Sequence, residues 1–247
     1  MKLVIAWLYP NLMNTYGDRG NIICLKKRCE WRNIQTEIKE LNIGFDKKLL
    51  DQADILFMGG AQDKQQRIVE KDLRNKRNNL VEILKNNTPG LFICGAYQLF
   101  GNYYKDSSGL TIKGLEILNI HTESNRHKRM IGNILIKTDF NSGNKMIIGF
   151  ENHGGETYLE KNVKPFGKVI KGYGNNGVDK YEGVLYNNWI FTYMHGPLLP
   201  KNPEIADFLI KCALEKKYNT NILLSKLDEE LEKKARETIA RKLNIRL

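Results

Sequence analysis

Cys94 stands where an apolar run ends and a glycine-containing run begins, in "LFICGAYQLFG" at residues 91–101. The first run is typical of a buried strand, and the second opens like a helix. A nucleophile on a tight strand-to-helix turn is exposed, and the small neighbour Gly95 lets the backbone make that turn. The N–H groups at the helix start would favour a thiolate. Cys94 is therefore a candidate nucleophile, and the alternative interpretation is an inert core cysteine.

An oxyanion site would have to lie beside this nucleophile. The run "ADILFMGG" at residues 53–60 predicts a second buried strand, which ends in Gly59 and Gly60. In an open parallel sheet, ligands bind beyond the carboxyl ends of the strands, where both segments end. The Gly95 N–H is one predicted donor to an oxyanion, and an amide of the Gly59–Gly60 loop, assigned to Gly60, is the second.

A thiol nucleophile also needs a base that takes its proton and later returns it to the leaving group. His195, in "WIFTYMHGPLL", follows a strand-like run and precedes Gly-Pro and a helix, which places it on the same rim as Cys94. His153, in "GFENHGGETY", follows another strand and is the alternative base. His121 and His127 lie in a polar segment and are expected at the surface.

The remaining cysteines suggest no further chemistry. Cys24, Cys29 and Cys212 form no CxxC pair, so the sequence predicts neither a disulfide framework nor a metal site. Because free cysteines are among the most buried residues, we expect these three to pack as reduced thiols.

The predicted elements explain how distant residues could meet at one rim. In the first half, short apolar runs alternate with helical patterns, which indicates an α/β fold with a mostly parallel sheet flanked by helices. Strands are predicted at 2–8, 35–41, 53–60 and 89–94, and helices at 20–33, at 63–87 as one or two, and from 95 to 104.

The second half is richer in strands. Segments 129–139, 145–152, 167–174 and 182–196 predict added β-ribbons, and 203–218 predicts an amphipathic helix. Another amphipathic helix is predicted from about residue 222, with an apolar stripe that packs on its own domain or on a partner. The stripe comprises Leu224, Leu227, Leu231, Ala235 and Ile239. No linker or repeat is visible, so residues 1–247 are predicted to form a single domain.

Composition excludes several function classes. The net charge of +11 invites a nucleic-acid interpretation, but Lys and Arg are mixed with acids and do not alternate with aromatic residues. A solvated surface of a chain rich in Lys, Asn and Ile explains the charge most simply, and an acidic partner or an anionic membrane-bound substrate is the alternative. No apolar run approaches the roughly 20 residues that span a bilayer. The N-terminus indicates a first strand rather than a signal peptide, so we expect a cytoplasmic protein, with the inner face of the membrane as a second location.

The combined pattern resembles the class I, Cys-nucleophile glutamine amidotransferases. That family combines a strand, a Cys-x-Gly-x-Gln turn, an upstream Gly-Gly loop and a late histidine. Here the turn is Cys94-Gly95-Ala96-Tyr97-Gln98, in which Ala96 departs from the usual glycine. Phe92 replaces another glycine often found before the cysteine. "GFENHGGETY" is similar to a segment of the CobB/CobQ-like branch, and matching stretches run from about residue 11 to 212.

The resemblance implies a flavodoxin-like fold and the hydrolysis of L-glutamine to glutamate and ammonia. Within the branch, it extends to glutaminase subunits that pass ammonia to a Mur-ligase-like, ATP-using synthetase of the MurT type in a heterodimer. That partner would amidate the D-glutamate of the peptidoglycan precursor lipid II, and this chain would need no cofactor. Cys94 would be the nucleophile and His195 the base. Arg129 and Gln98 would bind glutamine, although Arg129 could also be an ordinary surface residue; arginine suits an α-carboxylate because it binds in bidentate form.

In most class I relatives a carboxylate near the late histidine completes a Cys-His-acid triad, and this chain lacks it at that place. Most class I relatives carry His-Pro-Glu, whereas this chain has His195-Gly196-Pro197 and no carboxylate two residues on. Glu204 and Asp207 fall in the following helix, which should point elsewhere. We therefore expect a Cys-His dyad that an acid of the partner completes. A glutaminase for another amidation, such as cobyrinate-type synthesis, and a catalytically silent binding subunit remain alternatives.

Overall fold

A computed structural model describes residues 1–124, 129–141 and 143–245. Its strands are β1 (Lys2–Leu8), β2 (Gln35–Leu41), β3 (Ile55–Met58), β4 (Gly90–Ile93), β5 (Tyr103–Lys105), β6 (Thr111–Lys113), β7 (Ile120–Ser124), β8 (Met130–Thr138), β9 (Lys145–His153), β10 (Gly155–Leu159), β11 (Gly167–Lys171), β12 (Tyr181–Glu182), β13 (Val184–Tyr186), β14 (Trp189–Thr192) and β15 (Met194–His195). Its α-helices are α1 (Arg19–Glu30), α2 (Asp63–Arg74), α3 (Arg77–Lys85), α4 (Gly95–Leu99), α5 (Pro203–Tyr218) and α6 (Glu230–Lys242).

The main sheet has six strands in the order β13-β14-β4-β3-β1-β2. All neighbours in it run parallel except β13 and β14, which form an antiparallel pair. Strands β3 and β4 are apolar and buried at every residue, as expected of central strands whose two faces are both covered. The α/β class and the mostly parallel sheet predicted from the sequence are confirmed.

The other strands form two smaller sheets, in the orders β10-β7-β5-β6 and β12-β11-β8-β9-β15. The short strand β15 matters most for the site. It follows β14 of the main sheet and pairs antiparallel with β9, with His195 opposite Phe150. This pairing fixes the backbone of His195 between the main sheet and a ribbon.

The helix predicted from 95 to 104 is wrong in its second half. Helix α4 ends at Leu99, and the chain continues into β5. The Gly101 N–H still bonds the Gln98 carbonyl at 3.2 Å, but the Asn102 N–H bonds Ile120 at the edge of β7 at 2.7 Å. Pairing with β7 therefore overrides a helical pattern in a segment whose tyrosines also favour strands.

The C-terminal helix also differs from its prediction, because α6 begins at Glu230 and not near residue 222. The segment before it is held by tertiary bonds, in which Arg28 contacts Glu229 at 2.6 Å and Arg32 donates to the Ser225 carbonyl at 2.8 Å. The predicted stripe is right only in part: Leu224 and Ile239 pack against the core, whereas Leu231 is 79% exposed. The face of α6 that packs on the β8–β9 ribbon is centred on Ala240, which is buried against Leu135 and Ile148.

Within the described ranges, the helices are too short or too polar for any of them to cross a bilayer.

Candidate active site

Four neighbouring strands of the main sheet converge on one site. In the order β14, β4, β3 and β1, their carboxyl ends lead to His195, Cys94, Gly60 and Asp18. The carboxyl edge of a parallel sheet is where ligands bind in this architecture. The sequence analysis predicted the first three residues on this rim, and the structure brings them together.

Cys94 lies on a strained turn between β4 and α4. Its backbone has φ 53° and ψ −104°, and its N–H bonds the Thr192 carbonyl at 2.8 Å. A non-glycine residue with positive φ costs conformational energy, and such residues cluster at functional sites. Cys94 is 9% exposed, so it is neither solvent-facing nor sealed in the core. The turn has the geometry of a nucleophile elbow.

Gly60 lies between the thiol and the imidazole. A Cβ at Gly60 would come within 2.8 Å of His195 Cε1 and 3.2 Å of Cys94 Cβ. Gly95 is equally confined, since a Cβ there would be 3.0 Å from the Ala61 backbone nitrogen. Both glycines are therefore required by close approach of the neighbouring chain segments.

The orienting carboxylate that the sequence analysis expected from a partner is present in this chain. Asp18 Oδ1 lies 3.1 Å from His195 Nδ1, and both side chains are completely buried. The second oxygen of Asp18 accepts the Gly60 N–H at 2.6 Å. The expectation of a dyad without an internal acid is therefore wrong, because the acid comes from the loop after β1 and not from the segment after His195.

Burial and the neighbouring charges shift the pKa of His195 in opposite directions. Burial lowers the pKa of the imidazole, but the neighbouring Cys94 and the Asp18 carboxylate outweigh it and raise the pKa to about 10. At neutral pH the ring therefore carries a proton on both nitrogens, with Nδ1–H donating to Asp18. An imidazolium beside Cys94 is the partner that cysteine nucleophiles use in this chemistry.

The predicted oxyanion site needs one correction. The Gly60 N–H donates to Asp18 and is not available to a substrate. The next amide, that of Ala61, and the amide of Gly95 donate to no acceptor among the described residues. These two N–H groups lie on adjoining segments beside Cys94. Gly95 therefore stays a predicted oxyanion donor, and Ala61 replaces Gly60 as the second predicted donor.

His153, the alternative base, occupies a different environment. Its ring is stacked on Tyr193 with the centroids 3.7 Å apart, and Nδ1 lies 2.8 Å from the Gly155 carbonyl. Burial lowers its pKa to about 3, so it stays neutral at physiological pH. It has no carboxylate on Nδ1, and the geometry favours His195 as the base.

A cleft of about 540 Å³ opens above Cys94, a size typical of small-molecule sites. Arg129 lies on its wall. The guanidinium Nε donates to Asn152 Oδ1 at 2.7 Å, and Nη2 donates to the Tyr16 hydroxyl at 3.0 Å. The structure thus places Arg129, the residue predicted to bind the α-carboxylate of glutamine, in the same cleft as the predicted nucleophile Cys94.

Gln98 lies in the floor of this cleft and is 3% exposed. Its carbonyl oxygen accepts from Gln66 at 2.9 Å, and its amide nitrogen donates to the Tyr193 hydroxyl at 3.1 Å. Tyr193 in turn bonds Thr157 at 2.6 Å. Because both ends of the Gln98 amide already bond protein groups, its direct contact with glutamine stays a prediction.

The other candidates lie outside the site. Burial raises the pKa of Cys24 and Cys29 to about 12 and that of Cys212 to about 11, so their thiols are unreactive. His121 stacks between two tyrosines of the β10-β7-β5 face, and His127 lies outside the described residues. In residues 1–124, 129–141 and 143–245, no cluster of His, Cys, Asp and Glu could hold a metal ion.

Comparison with known proteins agrees with this geometry. The sequence of residues 4–203 matches the family model of the CobB/CobQ-like glutamine amidotransferase domain. The chain belongs to this family. It is 39% identical over 244 residues to the GatD subunit of the glutamine-hydrolysing lipid II isoglutaminyl synthase of Staphylococcus aureus, covering 98% of this chain and 97% of that protein. It is 40% identical over 239 residues to the subunit of the same name from Streptococcus pneumoniae, covering 96% and 90%.

The fold of this CobB/CobQ-like amidotransferase has solved counterparts. A chain of PurLQS from Thermotoga maritima superposes with a TM-score of 0.59 at 13% identity, covering 89% of this chain and all of that one. At such low identity the likeness shows the fold alone. It supports the class I amidotransferase architecture predicted from the sequence.

Asp18 is the functional residue that sequence reasoning missed in this family member. Asp18 lies in "NTYGDRGN", which follows β1 and so makes it one candidate carboxylate for the rim. No periodic pattern in the sequence pairs it with His195.

Proposed function

We propose that this protein is the glutamine-hydrolysing subunit of a lipid II isoglutaminyl synthase. The observation that carries the proposal is the buried Asp18–His195 pair beside Cys94, which lines a cleft that also contains Arg129. The two GatD relatives, each about 40% identical over nearly the whole chain, support the assignment of the substrate and pathway.

The first half of the reaction forms a thioester. The Cys94 thiolate attacks the carboxamide carbon of glutamine and forms a C–S bond, while the N–H groups of Ala61 and Gly95 stabilise the oxyanion. Collapse of this intermediate breaks the C–N bond. His195 Nε2–H gives its proton to the leaving nitrogen, which departs as ammonia.

The second half restores the enzyme. The imidazole of His195, now neutral, takes a proton from a water molecule that attacks the thioester carbon. The C–S bond then breaks, which releases glutamate and regenerates the thiolate beside the imidazolium. Asp18 keeps Nδ1 protonated throughout, so that Nε2 is always the atom that exchanges the proton.

A second part of the proposal concerns the partner and the substrate that receive the ammonia. Ammonia would pass to a Mur-ligase-like partner of the MurT type, which would use ATP to amidate the D-glutamate of lipid II at the inner face of the membrane. The excess of basic residues, +11 in total, suits a protein that works beside anionic lipid-linked substrates.

Ammonia release from L-glutamine tests the proposal. We expect turnover by the wild type with a co-expressed Mur-ligase-like partner and none by Cys94→Ala with the same partner. A glutamine-mimicking diazo-ketone should label Cys94 covalently in the wild type. Absence of both ammonia release and labelling would instead support a catalytically silent binding subunit.

A further inference from the structure

Tyr16 adopts an unusual backbone conformation at the edge of the cleft. Its φ is 56° and its ψ is 30°, in the left-handed region that a bulky residue rarely occupies. It lies in the loop between β1 and α1, two residues before Asp18. A strained aromatic residue so close to the catalytic carboxylate needs surrounding contacts that hold it.

Two contacts hold the Tyr16 side chain, one at each end. Its hydroxyl accepts a hydrogen bond from Arg129 Nη2 at 3.0 Å. Its ring packs against the imidazole of His195 in a T-shaped arrangement, with the centroids 5.1 Å apart and the planes at 80°. Tyr16 is 44% exposed while His195 is completely buried, so the phenol ring covers the imidazole on the solvent side.

The loop that carries Tyr16 is tied to the catalytic centre. The Thr15 N–H bonds the Gly60 carbonyl at 3.1 Å, and Asp18 bonds both His195 and the Gly60 N–H. The Arg19 N–H bonds the Asn14 side chain at 2.8 Å and closes the loop on itself. The backbone of Tyr16 therefore cannot move away without disturbing the hydrogen bond between Asp18 and His195.

The hydrogen bonds of Arg129 show what the Tyr16 hydroxyl contributes. Nε donates to the Asn152 side chain, and Nη2 is shared between Tyr16 and the Asn152 carbonyl. Among the described residues, Nη1 has no acceptor. Asn152 and Tyr16 thus hold the guanidinium along its Nε–Nη2 edge and fix its orientation at the cleft.

We propose that Tyr16 is a positioning residue for glutamine hydrolysis that links the carboxylate-binding Arg129 to the catalytic His195. The inference rests on the proposed function of the cleft. The hydroxyl holds Arg129 in the orientation that receives the α-carboxylate of glutamine. The ring keeps water away from the imidazolium, whose charge pairing with Cys94 and Asp18 is stronger in a dry environment.

The two ends of the side chain predict different kinetic effects. Tyr16→Phe removes the hydroxyl and keeps the ring, so we expect KM for glutamine to rise about 10-fold with kcat within 2-fold. Tyr16→Leu removes both, so kcat should also fall by about 10-fold. The matched control is Tyr186→Phe, because Tyr186 is 42% exposed and lies outside the cleft; its constants should not change.

A double-mutant cycle shows whether the hydroxyl acts through Arg129. The dissociation constant of L-glutamine is measured on the full-length chain with its partner, in a Cys94→Ala background that prevents turnover. Tyr16→Phe should weaken binding about 10-fold when Arg129 is present and less than 2-fold when Arg129 is replaced by Met. Equal effects in both backgrounds would overturn the positioning role.

Failure of this inference is distinguishable from failure of the proposed function. If the wild type with its partner releases no ammonia, the proposed function fails. If the wild type is active and Tyr16→Phe keeps its KM within 2-fold, only the role of the hydroxyl is refuted. If Tyr16→Leu keeps the kcat of Tyr16→Phe, the covering role of the ring is refuted.

Discussion

Replacement of Asp18 by Asn tests the central claim about the active site. The aspartate accepts two hydrogen bonds, from His195 Nδ1 at 3.1 Å and from the Gly60 N–H at 2.6 Å. Asparagine has nearly the same shape but only one acceptor atom, so it can satisfy one of these donors. If its oxygen takes the Gly60 N–H, its NH₂ group faces Nδ1 and forces the proton onto Nε2, which then cannot act as a base.

The expected fall in kcat follows from the hydrogen bond and the tautomer of His195 that asparagine cannot maintain. A charge-assisted hydrogen bond in a buried site contributes about 1.5–3 kcal/mol, and loss of the correct tautomer adds to this. A total of about 4 kcal/mol corresponds to a kcat about 1,000-fold lower. We expect KM to change little, because Asp18 does not line the cleft.

The assay is ammonia release from glutamine, with and without the partner, over pH 6 to 9. A second readout is alkylation of Cys94 by iodoacetamide at pH 7, which should slow in Asp18→Asn because His195 loses the carboxylate that orients it beside Cys94. Asp72→Asn is the matched control, since Asp72 also accepts a backbone N–H and pairs with a cation, Lys76, but lies away from the cleft. Turnover by Asp18→Asn within 3-fold of the wild type would refute the role assigned to Asp18.

Three further predictions concern the same structure. Gly60→Ala should lower kcat about 100-fold, because its Cβ would stand 2.8 Å from His195 Cε1; Gly154→Ala, which meets nothing closer than 3.6 Å, is the control, and equal kcat values for the two variants would contradict the crowding argument. Burial raises the pKa of Glu182 from 4.5 to about 8, so between these values the folded state holds a proton that the unfolded state has lost. This group should therefore lower the free energy of unfolding by about 1.4 kcal/mol for each unit that the pH rises in that range. Urea unfolding of Glu182→Gln should show a pH dependence that differs from that of the wild type by this amount, and identical pH dependences would count against it. On α6, Ala240→Glu should destabilise the fold by about 3 kcal/mol and Leu231→Glu by less than 0.5 kcal/mol in the same urea titration, because only Ala240 is buried; comparable losses would place Leu231 in the packed face.

The sequence predicts the rim of the site well, for a physical reason. Buried apolar runs identify β3 and β4, and parallel strands must present their carboxyl ends on one edge. The residues that follow, Gly60 and Cys94, are then neighbours whatever the details of packing. His195 could be placed in the same way, since β14 returns to the sheet beside β4.

What the sequence does not predict depends on tertiary bonds without a periodic signal. The loop that carries Asp18 has no alternation or helical spacing, and its pairing with His195 joins residues 177 positions apart. The occupied N–H of Gly60 follows from that pairing and was equally hidden. The late start of α6 has the same origin, because Glu229 and Ser225 are held by arginines of the distant α1 region.

The internal carboxylate changes what a partner could contribute to catalysis. His195 Nδ1 already has Asp18 as its acceptor, and the imidazole is completely buried, so an acid from another chain has no free position on that nitrogen. An effect of the partner on the His195 ring itself would have to act through a residue that touches the ring from the surface. Tyr16 is such a residue, since it is exposed and packs on the imidazole. If the partner raises kcat through this contact, the stimulation should survive in Tyr16→Phe and be lost in Tyr16→Leu, whereas an acid delivered by the partner would stimulate both variants alike.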